Sequence, residues 1–220
     1  MKDEPLIIAI DGPSGSGKSS TSRGVARKLG LAYLDTGAMY RAAAWLVAER
    51  TLDDPAAVID AIATTPMDIA LDPAAFAISV DGTDVTEAIR EPRISASVSK
   101  VSTIQAVRDI LIARQRELIA GADGGIVVEG RDITTVVAPD AQVRVLLVAD
   151  PAARIARRQA ELGGRADHAQ VTDQVIRRDA DDSTVAAFTE AAPGVTVVDS
   201  THLTLDQVID RICGMAPVDR

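Results

Sequence analysis

Cysteine, aromatic residues and asparagine are what this 220-residue chain has least of, with one Cys, one Trp, two Tyr, two Phe and no Asn. The lone Cys213 excludes an internal disulfide framework and fits a reducing compartment. It reads as a small apolar residue on the last helix. With so few rings, the core has to be built from Ala, Val, Ile and Leu. No stretch approaches the ~18 apolar residues of a membrane span. The opening MKDEP lacks the basic-then-apolar layout of an export signal, so a soluble, cytoplasmic protein is expected. Basic surface is scarce too: 32 Asp and Glu against 23 Lys and Arg leave a net charge of −9. That balance argues against a nucleic-acid partner gripped through its phosphates.

What the chain does have is a glycine-rich turn in a telling place. Residues 6–21 read LIIAIDGPSGSGKSST, an apolar run feeding a turn and then a helix-forming segment. Gly12-Pro13-Ser14-Gly15-Ser16-Gly17-Lys18-Ser19 fits G-x-x-x-x-G-K-[ST], whose glycines let successive backbone N–H groups point into one hollow. Such a hollow binds an anion. A helix opening after Lys18 adds the positive end of its dipole, Lys18 can reach terminal phosphates, and the Ser19 hydroxyl can ligate Mg2+. The alternative, a glycine-rich β-to-α turn with a solvated lysine, leaves the coincidence of three glycines, a lysine and a hydroxyl unexplained. A regulatory GTP switch built on the same loop is a weak rival from another class, because its guanine-reading Asn-Lys-x-Asp motif needs an asparagine and the chain has none.

The strand 6–10 and a helix over 20–29, stopped by Gly30, are followed by a strand at 31–34. It ends in Asp35-Thr36-Gly37-Ala38-Met39-Tyr40-Arg41, a polar corner at the carboxyl end of a strand, where open α/β sheets place ligands. Thr36, Tyr40 and Arg41 fit either a second-substrate site or an N-cap with a surface arginine. A helix at 55–64 leads to short alternating strands at 67–71 and 75–80. Asp81-Gly82 is a hairpin signal, and about 65–89 forms a small antiparallel insert. A helix over 92–120 carries an apolar stripe from Val98 to Leu118. Ser99 and Arg108 fall off that stripe and read as solvated surface.

A strand at 126–129 ends in Gly130-Arg131-Asp132, and another spans 142–149. Asp150-Pro151 then starts a helix bearing Arg154, Arg157 and Arg158. Beyond Gly163-Gly164 a second helix brings Arg177, Arg178, Asp179, Asp181 and Asp182. A strand at 195–198 and a helix at 205–213 close the chain. Five apolar strands alternating with helices predict an α/β fold, a five-stranded parallel sheet covered on both faces. The arginine-rich pair over about 152–182 reads as a helical lid that excludes water, or as a hairpin held by ion pairs. The core would comprise 1–64, 90–151 and 183–220 of one domain, with monomer as the default state.

IAIDGPSGSGKSS, LDTGAMYR, VVEGRDITTVV with its following PDA, and RRDADDST, in this order and over nearly the whole chain, resemble the bacterial cytidylate kinases. The small three-stranded insert is similar to the one that sets that family apart from other nucleoside monophosphate kinases. The resemblance implies a P-loop kinase that moves the ATP γ-phosphoryl group to CMP or dCMP with Mg2+. It implies that residues 12–20, from Gly12 through Ser19 and Ser20, hold ATP and, at Ser19, the metal. Arg154, Arg157 and Arg158 would close over ATP. Arg41 and Arg131 would grip the acceptor phosphate; with Lys18 and Arg158 they form the implied catalytic set. Ser99, Arg108 and Asp132 would read the cytosine edge, Arg178 and Asp182 would meet the sugar, and Thr36 and Tyr40 would flank the acceptor. Two departures stand out. Val185 follows Asp182-Ser183-Thr184 where the family has arginine, which keeps an inactive nucleotide binder in view unless Arg177 or Arg165 substitutes. Thr134 stands where a glycine is usual, a β-branched side chain expected to tighten the loop. Shikimate- or adenylate-kinase-like chemistry is the runner-up within the enzyme class.

Overall fold

The computed structural model describes residues 4–161 and 190–217, the Arg158 and Glu161 side chains excepted. Its centre is a five-stranded parallel sheet in the order β2-β6-β1-β7-β8. The strands are β1 (Ile7–Asp11), β2 (Ala32–Asp35), β6 (Ile126–Gly130), β7 (Val143–Val148) and β8 (Thr196–Asp199). β1 pairs on one side with β6, Ile8 opposite Val127, and on the other with β7, Ile8 opposite Val143. Buried on both faces, these strands read as continuous apolar runs. The five expected strands are all present, with ends shifted by a residue.

Side-chain alternation splits the core in two. On one face Ile8, Ile10, Tyr33, Val127 and Val145 pack against Val25 of α1 (Lys18–Leu29) and Val208 and Ile212 of the closing helix, Leu205–Cys213. On the other, Ala9, Leu34, Ile126 and Val128 meet Met39 of α2 (Thr36–Glu49) and Ile112 and Ile119 of α6 (Gln105–Ala120). Helix ends follow local chemistry. Gly30 takes a left-handed conformation at the end of α1, the Asp35 carboxylate accepts from the Ala38 N–H at the start of α2, and Thr204 and Gln207 form a capping box on the closing helix.

A second, antiparallel sheet runs β3 (Met67–Ile69), β4 (Ile78–Val80) and β5 (Thr83–Asp84). Asp81 and Gly82 both have positive φ, 51° and 73°, as a two-residue hairpin between paired Val80 and Thr83 requires. Ile78, Val80 and Val85 are buried in one cluster with α2, α3 (Pro55–Thr64) and α6. The Tyr33 N–H further donates to the Leu71 carbonyl at 2.8 Å, tying this layer to β2.

The helix expected over 92–120 is three. α4 (Pro92–Ser97) and α5 (Ser99–Ser102) are short, and α6 restarts after Ile104, whose ψ of 110° is extended. The Thr103 hydroxyl donates to the Ser99 carbonyl at 2.7 Å. In a stretch as rich in Ser and Thr as SASVSKVST, such side-chain bonds compete with the helix ladder.

Candidate active site

The loop between β1 and α1 sits at the carboxyl end of the central strand, where the chain winds to either side and a crevice opens. Gly12 is required there: its φ is 153°, and a Cβ would lie 2.1 Å from the Leu147 carbonyl oxygen of β7. The loop thus runs flush over the neighbouring strand. Gly17 caps α1 with no side-chain bond to its first turn, leaving N–H groups for an anion. Ser14, Ser16 and Lys18 are buried, and the Lys18 ammonium donates to the Pro13 carbonyl at 2.8 Å within its own loop. Ser20 is exposed on α1.

Two further strand-end corners flank this loop. Arg131 Nη1 donates to the Gly12 carbonyl at 2.8 Å, bringing the end of β6 onto the P-loop. The next residue, Asp132, pairs with Arg108 of α6 at 2.6 Å, with only 11% and 10% of the two side chains exposed. Arg108 is therefore not the solvated residue its place off the apolar stripe suggests; its partner comes from a distant element. The Tyr40 hydroxyl, shielded from solvent, makes no hydrogen bond among the described residues. Burial, and then the Asp132 charge, push its pKa up to about 12. Arg41 pairs with Asp35 at 2.9 Å. Burial would raise the Asp35 carboxyl, but the Arg41 guanidinium and the Ala38 N–H outweigh it and hold the group below its usual range. Thr36 donates to the Glu129 carbonyl at 2.8 Å. Ser99 is half-buried, and its hydroxyl makes no hydrogen bond to the Arg108–Asp132 pair.

From the other side, α7 (Pro151–Glu161) supplies arginines to the back of the loop. Arg154 Nη1 donates to the Ser14 carbonyl at 3.0 Å. Arg157 is spent on protein groups: Nη1 donates to the Ser200 hydroxyl at 2.9 Å and the Ser16 carbonyl at 3.4 Å, and Nη2 to the Ser200 carbonyl at 2.6 Å. The Arg158 side chain, Arg165, Arg177, Arg178, Asp182 and Val185 lie outside the described residues, as does the rest of the lid beyond residue 161.

Thr134 tightens the loop in a definable way. The Asp11 carboxylate accepts from the Ile133 N–H, the Thr134 N–H and the Thr134 hydroxyl at 2.9, 2.8 and 2.7 Å. These bonds anchor the π-helical turn Ile133–Val137 to β1 directly behind Arg131 and Asp132. Burial nonetheless pushes the Asp11 carboxyl above its ordinary value.

Two buried residues carry chemistry that sequence reasoning passed over. Glu129, 3% exposed, is the one charged residue of the otherwise apolar β6, receives the Tyr33 hydroxyl, and has the Ser19 side chain and Lys18 close enough to act on its carboxylate. A carboxylate in an apolar strand beside the P-loop strand was the available signal. Among the described residues no cluster of three or more His, Cys, Asp or Glu could hold a metal. The Ser19 hydroxyl with one carboxylate beside it is instead the sparse oxygen set that suits Mg2+, which keeps its waters and takes its remaining ligands from phosphates.

Burial, then the Asp35 charge, raise the Glu129 carboxyl above its usual range, against Lys18, Tyr33 and Ser19. A raised acid binds its proton more tightly folded than unfolded, so stability falls as pH climbs through the unfolded value, and the penalty stands in full above the folded one. Glu129→Gln should therefore melt higher than wild type at pH 8, by ~1 kcal/mol or ~2–4 °C, with the gap closing at pH 4. Thermal melts at both pH values check this; a wild type that outmelts the variant at pH 8 contradicts it.

Comparison with known proteins identifies the family of the chain. The profile of the family described as cytidylate kinase matches residues 8–217. The cytidylate kinase of Cutibacterium acnes is 62% identical over 221 residues, 99% of either chain. That of Rhodococcus opacus is 48% identical over 218 residues, covering 96% of this chain and 95% of its own. Among solved structures, an uncharacterized protein from Eubacterium ventriosum shares the fold at a TM-score of 0.53 and 11% identity, covering 95% of this chain and 96% of its own. A Thermus thermophilus protein does so at 0.50 and 15%, covering 98% and 100%. With a family match across almost its whole length and a relative 62% identical over 99% of it, this chain belongs to the cytidylate kinase family.

Proposed function

We propose that the chain transfers the γ-phosphoryl group of ATP to CMP and dCMP, giving CDP and dCDP. The observation that carries this is the pair of consecutive residues Arg131 and Asp132. One reaches the P-loop at Gly12, and the other, paired with Arg108, lies near enough to act on Tyr40, whose buried hydroxyl has no partner among the described residues. Donor and acceptor machinery thus meet at one strand end. Lys18 and the loop N–H groups hold the β- and γ-phosphates. Arg41 and Arg131 exchange their present partners for the acceptor phosphate, a fork-to-phosphate match. Asp132, Arg108 and Ser99 read the cytosine edge, with Thr36 and Tyr40 beside the acceptor and Arg178 and Asp182 on the sugar. Arg154 and Arg158 close over ATP. Arg157 supports the loop from behind, as its bonds to Ser16 and Ser200 favour.

Mg2+ at Ser19 and Glu129 supplies charge neutralisation on the transferred group when bound. The chain's own residues align the two nucleotides and exclude water, because a loose phosphoryl transition state asks for position and cations more than for a base. The segments 65–89 and 152–182 act as acceptor-side insert and lid on the core. The protein works as a cytoplasmic monomer, which its low basic content and the absence, among the described residues, of a helix able to cross a membrane leave open to it.

An acceptor panel tests the reading. ADP release from Mg·ATP is followed with CMP, dCMP, UMP, AMP and shikimate. CMP and dCMP should exceed the rest by ~10²-fold in kcat/KM, the scale that hydrogen-bond readout supplies. Preference for AMP or shikimate defeats it. So does ATP binding without acceptor-stimulated release, the behaviour of an inactive nucleotide binder.

A further inference from the structure

Tyr33 is a large side chain with no place in the reaction as described, yet it is 1% exposed and its one polar atom is committed. It lies on β2 opposite Val127 of β6, so its ring spans the diagonal to Glu129, two residues further along and on the same face. There its hydroxyl donates to Glu129 Oε1. The ring is packed in the cluster that holds Val25 of α1, and the Arg23 guanidinium lies 5.8 Å from its centroid. Those contacts leave the ring little freedom and seat it against α1, the same helix that carries Ser19 in its first turn, while the O–H follows its acceptor, Glu129. Ser19 lies close enough to the same carboxylate to stabilise its charge.

We infer that Tyr33 is a positioning residue for metal loading: by donating to Glu129 it holds that carboxylate against the Ser19 hydroxyl, so both oxygen ligands are in place before Mg·nucleotide arrives. A carboxylate without this donor has competing partners close by, since Lys18 is within electrostatic reach and could draw it off Ser19. An outer donor that fixes a ligand's rotamer changes metal affinity by ~10–100-fold while touching neither metal nor substrate. The inference rests on the P-loop reading above and deepens it.

Calorimetric binding of ADP with and without Mg2+, to wild type, Tyr33→Phe, Glu129→Gln and the double variant, tests it. Without Mg2+, Y33F should bind ADP as wild type does, because the loop and Lys18 are untouched. The gain in affinity on adding Mg2+ should shrink by about tenfold in Y33F. Adding Y33F to E129Q should cost nothing further, because the phenol acts only through the carboxylate. In turnover, the Mg2+ concentration for half-maximal rate should rise while kcat at saturating Mg2+ stays within about threefold. Glu129→Asp, which draws the carboxylate back from an intact Tyr33, is the second variant and must show the same Mg2+-specific loss. A Y33F gain equal to wild type, losses that multiply in the double variant, or an E129D that keeps the full gain each overturn the role given to Tyr33. If the loop held no nucleotide, wild type itself would give no ADP isotherm; if Tyr33 plays no part, wild type binds and Y33F matches it.

Discussion

Lys18→Ala will lower kcat for ATP-dependent CMP phosphorylation by ~10³-fold or more, with the protein still folded. The ammonium is buried in the loop and donates to the Pro13 carbonyl, so it stands inside the hollow that the phosphates enter rather than at its rim. On the proposed reaction, charge developing on the transferred group would meet a buried Lys18, and a fixed, buried cation acts far more strongly than one in solvent. Alanine offers no substitute, and Arg131 and Arg41, bonded to the Gly12 carbonyl and Asp35, are assigned by the proposal to the acceptor. Folding should survive because the loop's course is set by Gly12 over β7 and by Arg154 and Arg157 behind it. Steady-state rates at saturating substrates are the check; a variant retaining a tenth of the rate would remove Lys18 from the chemistry.

Asp132→Ala should act on choice more than on speed. Its carboxylate and the Arg108 guanidinium form a pair shielded from solvent, an arrangement that presents an acceptor and several donors to a base edge at fixed positions. A site built to hydrogen-bond its substrate rejects analogues strongly because mismatched buried groups are left unpaired. Removing the carboxylate deletes the acceptor and frees Arg108 to turn toward other partners. The ratio of kcat/KM for CMP over UMP is expected to fall by ~10²-fold, with ATP affinity unchanged. The backbone of Asp132 keeps its role, since its carbonyl goes on accepting from Val136 and Val137. Equal losses for CMP and UMP would make the pair a structural strut instead of a reader.

The P-loop and the five strands were legible because their signals are local. An apolar run is a buried strand whatever surrounds it, and the glycines mark the positions where backbone approaches backbone, as Gly12 does over Leu147. The hairpin at Asp81-Gly82 was legible for the same reason, its two positive φ angles being encoded in two residues. Arg108 was not, since its burial comes from Asp132, 24 residues away in sequence. Nor was the break at residues 98–104, where the apolar periodicity runs on across a gap that Ser and Thr side chains open. The resemblance to a family brought Arg108 into the site where periodicity alone left it in solvent. Neither route found Tyr33 and Glu129, whose partnership exists only once β2 and β6 lie side by side. Arg157, which the family resemblance directs to ATP, bonds through both terminal nitrogens to Ser200 and through Nη1 to the loop, contacts no local signal announced.

The most direct test follows the labelled phosphate. With γ-labelled ATP, Mg2+, CMP and wild-type protein, the label should appear in CDP, mole for mole with ADP formed. Label released as inorganic phosphate, or left in ATP whatever the CMP concentration, would contradict the transfer on which the whole account of this site depends.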